Sequence, residues 1–261
     1  MTADTTAGTT VAPHGEWLPT LDLPEPGPQR RLTVFFRYLI LIPQFIVLWV
    51  LSIAAAVVAF VGWFAALVLG RLPDPIAAFL CGYVGYETRV TSSLMLLVDR
   101  YPPFAMTAPR DHPVQVVLRP GRLNRLAVFF RVILMIPAVV VFGLASAGWF
   151  AVSFVLWLIV LIAGRMPRPL FEATAGIVRY GMRLHAYVLM VTSAYPKRLF
   201  GDGEMWEAGQ GRSATRPLVM SSLGKGLIGL FLLLGFLSGA GSSIGSASGS
   251  DDGLWSAPAA K

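Results

Sequence analysis

Two long apolar stretches of this chain carry a few polar side chains, and any chemistry it performs would involve them. In the first are Tyr86, Glu87 and Arg89, and in the second Tyr180 and Arg183. Gly82, Tyr86 and Arg89 are spaced four and three apart and share one helix face, as do Gly176, Tyr180 and Arg183. A charge near the centre of a bilayer costs at least ~2.5 kcal/mol on insertion scales, so it faces a bundle interior or reaches for the interface. One reading is a paired arginine site that holds an anionic group between the two stretches, with Glu87 neutralising part of it. The other is an internally paired polar face that locks the helices together.

Catalysis finds little footing. His14, His112 and His185 are scattered without an HExxH pattern, and no carboxylate cluster supplies metal ligands. Neither a nucleophile elbow nor a phosphate-binding loop is read from the sequence. His185 reads first as a hydrogen-bonded helix contact and only second as a proton relay. The single cysteine, Cys81, excludes an internal disulfide framework. No catalytic residue, metal site or cofactor is expected, and the chain is read as non-enzymatic.

Three further patterns belong to the elements that would position these residues. Tyr101-Pro102-Pro103-Phe104 stands where a helix must stop, because two prolines cannot continue it. The motif is read as a helix terminator with interfacial aromatics, or as a stiff docking turn. Arg30, Arg31 and Arg37, and Arg125 and Arg131, lie among Phe and Leu in two short arms, a composition suited to lipid headgroups. Gly62 to Ala66, Ala147 to Ala151 and Gly235 to Gly239 are small-residue pairs that let helices approach closely.

Composition places these elements in a membrane. Of 261 residues, 55% are hydrophobic and only 13% charged, and mean hydropathy is +0.66. A soluble domain carries about 25% charge, so too little is present here to cover a water-facing surface. The net charge of +7 and pI near 10.0 suit nucleic acid or an anionic membrane surface. The apolar runs decide for membrane, and no nucleic-acid partner is expected. Met1 to Gln29 lack the apolar core of a cleavable signal peptide, so the first span is expected to act as its own insertion signal.

An internal repeat organises the chain. At an offset of 94 positions, RLTVFFR from Arg31 falls on RLAVFFR from Arg125, and GRLPDP from Gly70 falls on GRMPRP from Gly164. Pro43 falls on Pro137 and Trp63 on Trp157. The predicted layout begins with a disordered tail (1–20). Repeat 1 (21–106) has an arm over 30–42 and spans over 44–69 and 76–98. Repeat 2 (115–200) has an arm over 124–136 and spans over 138–163 and 170–191. A cytoplasmic linker (201–217), a C-terminal span (218–240) and a disordered tail (241–261) follow. Each arm is expected to end in a kink at Pro43 or Pro137, where the missing N–H frees a carbonyl.

Five crossings with a cytoplasmic N-terminus sort Lys and Arg thirteen to the inside and four to the outside, with four more within spans. The inside set includes both arms; the outside set is Arg71, Arg165, Arg168 and Lys261. The repeats are then parallel, related by an axis along the membrane normal. If the second segment of each unit lies on the surface instead, the repeats become inverted and the arms fall on opposite sides.

RLxVFFR, Ile-Pro, a Trp-containing apolar span, Gly-Arg-x-Pro, a basic second segment and Tyr-Pro-Pro-Phe together resemble a known family. It is the group of uncharacterised bacterial membrane proteins classed as domain-of-unknown-function family number 4389, here in two tandem copies. The resemblance implies a multi-span protein of the bacterial cytoplasmic membrane and no activity, cofactor or catalytic residue. The second copy departs from the motif, ending Tyr195-Pro196-Lys197-Arg198. The fold expected is an all-α integral membrane protein, with two parallel helix-hairpin repeats and a final helix whose C-terminus is outside. Its expected partners are anionic lipids, and a membrane-protein partner or a second copy of itself. The alternative is a small transporter or channel subunit that uses the intramembrane Arg/Tyr/Glu face.

Overall fold

The computed structural model describes residues 18–202, 215 and 217–248, with side chains to residue 239. The expected disorder before residue 18 and after residue 248, and most of the 201–217 linker, lie outside the described residues. The chain is mostly helical. Strand β1 (Thr20–Asp22) leads to a one-turn helix α1 (Arg31–Phe35), a long helix α2 (Arg37–Leu69) and helix α3 (Asp74–Leu94). The second unit repeats this order as β2 (Gln115–Val117), α4 (Arg125–Phe129), α5 (Arg131–Ala151), α6 (Ser153–Ala163) and α7 (Arg168–Val188). Helix α8 (Ser222–Ser248) follows, continuing into the Gly/Ser-rich segment expected to be disordered from residue 241. β1 and β2 pair antiparallel, Leu21 opposite Val116, a small ribbon that an all-helical reading missed.

The kink that ends each arm is at Phe36 and Phe130, not at Pro43 and Pro137. Phe36 (φ −92°, ψ 13°) and Phe130 (φ −87°, ψ 9°) leave the helical well, whereas both prolines lie inside continuous helices. Each proline is the seventh residue of its helix, so it removes one hydrogen bond near the end without forcing a break. The break turns the next residue, Arg37 or Arg131, into the interior. Gly70 and Gly164, both at φ 68°, close α2 and α6 in the left-handed conformation that glycine adopts without a Cβ penalty.

The long helices of the two repeats run antiparallel. Gly70, at the end of α2, accepts a backbone hydrogen bond from Leu123, just before α4 (2.8 Å). Gly164, at the end of α6, accepts one from Gln29, just before α1 (2.7 Å). Trp63 donates to the Val128 carbonyl of the other unit's arm, and Trp157 donates to Val34 (3.1 and 2.9 Å). The C-terminal end of each long helix therefore meets the N-terminal end of the other, so α2 and α5–α6 run in opposite senses. A pseudo-two-fold axis passes between them, across their length. It follows that arms and Gly-Arg-x-Pro turns lie at shared ends, which removes the expected sorting of arms inside and turns outside. Arg30, Arg31, Arg165 and Arg168 gather at one end, and Arg71, Arg122 and Arg125 at the other, all exposed.

The central pair, α3 and α7, separates two unlike layers. On α7, Glu172, Gly176, Arg179 and Arg183 form one stripe by their 4-3-4 spacing. They meet the loops through Ser221, Leu199, Asp202 and Pro19. Thr174, Val178, Gly181 and His185 form the opposite stripe, meeting Trp149 and Phe142 of α5. Ribbon and loops thus cover one side, and α5 the other.

The long helices are apolar on their outer face. Ile42, Ile46, Trp49, Ile53, Val57, Phe60, Phe64 and Val68 form one exposed stripe of α2 at helical spacing. Its inner face buries Arg37, Leu41, Gln44, Ala55, Gly62 and Ala66. Among the described residues, three helical stretches are long and apolar enough to cross a membrane: Arg37–Leu69, Arg131–Ala151 and Ser222–Gly239. Helices α3 and α7, expected as spans, are not among them.

Candidate functional site

The two arginines expected to form a shared anion site contact different loops. Arg89, 2% exposed, donates to the carbonyls of Ala105 and Met106, with its guanidinium 5.8 Å from the Tyr86 ring. The Tyr86 hydroxyl donates to Gln44 of α2, and Gln44 donates to the Pro102 carbonyl (2.7 Å). Arg89, Tyr86 and Gln44 thereby hold the Tyr101–Met106 segment against α2 and α3. Within that segment Pro102 is buried, while Tyr101 and Phe104 are exposed with their rings 5.9 Å apart. Helix α3 ends at Leu94, before the motif, so the expected helix terminator does not stop it; the motif displays an aromatic pair beyond the helix.

Arg183 donates to the carbonyls of Pro19 (3.0 Å) and Lys197 (3.1 Å) and lies 3.5 Å from Asp202. Arg179, on the same stripe, pairs with the other oxygen of Asp202, which also accepts the Leu218 N–H (3.1 Å). Asp202 is 4% exposed, so this is a buried carboxylate held by two guanidiniums and one backbone donor. Tyr180, on the same helix, is buried. Among the described residues Arg89 and Arg183 share no partner, and both are engaged by their own chain. The internally paired reading describes this polar face.

Of the arm residues, Arg30, Arg31 and Arg125 are exposed as expected, Arg31 also donating to the Ile162 carbonyl (3.3 Å). Arg37 and Arg131 are not on the headgroup face. Arg37 is 2% exposed and donates to Ser93, Val98, Gln29 and Asp99 at 2.7–3.2 Å. Arg131 donates to the Thr192 carbonyl (2.6 Å) and lies 4.1 Å over the Tyr187 ring. The kink at Phe36 and Phe130 produces this inward turn. In the loop layer, exposed Arg100 pairs with Asp111 (2.7 Å) and holds its carboxyl below the usual carboxylate range.

The arrangement with most chemical latitude joins the repeats at Glu87 and His185, whose Oε2 and Nδ1 are 2.8 Å apart. They line a cavity of about 70 Å³ between α3, α5 and α7, walled mainly by Phe142, Phe150, Ile177 and Met182. An acid and an imidazole in apolar surroundings can share a proton or receive a single donor group. Sequence reading singled out both residues but not their pairing. Their repeat counterparts are Gly181 and Thr91, so the self-alignment carried no sign of it. No group of three or more His, Cys, Asp or Glu side chains that could hold a metal occurs among the described residues.

The family model described as Domain of unknown function (DUF4389) matches residues 31–106 and 125–199, together more than half of the chain. The chain belongs to this family. DUF4389 is present as two tandem copies, and their matched segments begin at the first residues of α1 and α4. No curated protein and no solved structure matches the chain.

Proposed function

We propose that this protein is a non-enzymatic membrane protein that engages anionic lipid headgroups through the basic ends of its apolar helices and supports a partner or assembly there. One observation carries the reading: the outer faces of α2 and α5–α6 hold no charge from Tyr38 to Gly70 or from Val132 to Gly164, yet exposed arginines stand at both ends. Apolar area of that extent favours hydrocarbon, and each basic residue near an anionic surface adds about 1 kcal/mol. Exposed Leu32, Phe35, Leu126 and Phe129 stand beside those arginines in the arms, the composition of an interfacial segment. The test is cosedimentation of purified protein with liposomes. Binding to anionic vesicles is expected to fall as salt rises and as Arg30, Arg31, Arg122 and Arg125 are replaced by Gln. Salt-independent binding, equal on neutral vesicles, would overturn the headgroup role.

The second reading, a small transporter or channel subunit, keeps one foothold. With Arg89 and Arg183 engaged by loops, the Glu87–His185 cavity is the place that supports it. Flux in reconstituted vesicles that disappears in Glu87→Gln would favour it.

A further inference from the structure

Which way the molecule faces the bilayer can be argued from where its charges lie along the long helices. The ribbon marks the middle. From Leu21 to Gln29 and from Val116 to Leu123 the chain covers similar lengths, and these lead to opposite ends, at Gly164 and Gly70. The ribbon therefore sits about half-way along α2 and α5–α6, on the pseudo-two-fold axis. Loops on the same side of α3 and α7 carry exposed Arg100, Arg110, Asp111, Lys197 and Arg198. Arg198 belongs to the loop that Arg179 and Arg183 anchor near the middle of α7.

Suppose α2 stood upright in a bilayer. Ribbon, irregular loop backbone and these charges would then lie beside it at hydrocarbon depth. Each charge there costs at least about 2.5 kcal/mol, and lipid-exposed loop backbone is not tolerated at all. A helix of 33 residues is also about 50 Å long, against a hydrocarbon core of about 30 Å. Lying flat removes each conflict. The exposed stripe from Ile42 to Val68 is opposite the face on which Arg37 and Gln44 reach the loops, so it points away from the charged layer. Basic residues at both ends of the long helices then meet one surface.

We infer that the protein is seated in one leaflet, with α2 and α5–α6 along the membrane plane, the pseudo-two-fold axis along the normal and the ribbon-and-loop layer in water. The partner is thus the face of a lipid bilayer, entered from one side. This rests on the membrane reading above.

Labelling with a membrane-impermeant maleimide tests it in the full chain, on a Cys81→Ser background. Arg71→Cys and Arg165→Cys are exposed positions at opposite ends of the long helices, and Arg122→Cys and Arg168→Cys form a second pair if either variant folds poorly. Each is labelled in sealed vesicles of both orientations. Both ends are expected to react from the same side, the side from which Lys197→Cys also reacts. Reaction of the two ends from opposite sides would overturn the in-plane seat while leaving the membrane reading intact. Recovery of the folded protein in the soluble fraction would overturn both.

Discussion

Arg37 shows how far one dihedral can move a charge. In sequence it is the last basic residue of RLTVFFR and reads as a companion of Arg31. Because Phe36 leaves the helical well, Arg37 points inward, where Gln29, Ser93, the Val98 carbonyl and Asp99 receive its donors. Removing a guanidinium from such a site strands its acceptors and leaves Asp99 uncompensated. Arg37→Ala is expected to lower stability in detergent by about 3 kcal/mol or more, the cost of breaking a buried pair. Arg31→Ala, at an exposed site, is expected to change it by less than about 1 kcal/mol. Thermal unfolding of the two variants checks this, and the reverse order of effects would restore Arg37 to the headgroup arm. The same logic separates the polar residues singled out beforehand. Their types and shared faces were legible, but their partners were not. Asp99, Asp202 and Gln44 are far away in sequence from the arginines and tyrosine they meet, and no local spacing announces them.

At the scale of elements, helix packing follows small residues, though not always those the pattern favours. Gly62 and Ala66 are buried on the α3 side of α2, where a Cβ on Gly62 would come within 3.0 Å of Leu72. Ala147 and Ala151, by contrast, are exposed, and it is Gly148 that lets α8 approach α5. A Cβ there would run into the Phe231 carbonyl, and one on Gly235 into that of Leu144. Backbone cannot swing aside as a side chain can, so Gly148→Ala must push the helices apart. Its unfolding midpoint is expected to drop by an amount matching about 1–3 kcal/mol. Gly143→Ala, with open space around the new Cβ, should be neutral or stabilising through helix propensity. Equal midpoints would show that α5 and α8 are not tightly apposed. Helix existence was easy to read from the uncharged runs. The kinks were misplaced because proline seemed the obvious breaker, while Phe36 and Phe130 carry no local mark of one. The ribbon escaped notice because three-residue strands have no periodicity to detect.

For the whole molecule, the decisive feature is the hand-over between repeats. A gapless repeat at an offset of 94 establishes which residues are equivalent but says nothing about the operation that relates them, so parallel and antiparallel long helices look identical in sequence. Trp63 and Trp157 distinguish them only through the chain each one reaches, Val128 or Val34. Two backbone hydrogen bonds, Leu123 to Gly70 and Gln29 to Gly164, and the β1–β2 ribbon complete a set of contacts in which each unit closes the other. The covalent link between units, by comparison, passes through residues 107–114, where Thr107, Pro109, Arg110 and Asp111 are exposed. It is thus the reciprocal contacts, rather than the linker, that hold the halves in place. A protease site inserted between Pro109 and Arg110 tests this. After cleavage of the folded protein in mild detergent, the two fragments are expected to co-elute as one species and to separate only on denaturation. Trp63→Phe and Trp157→Phe each delete one reciprocal hydrogen bond, so the double variant should fall apart at a lower temperature than either single one. Fragments that separate as soon as they are cut would mean that each repeat is closed on itself, and the pseudo-two-fold frame on which the in-plane seat depends would go with it.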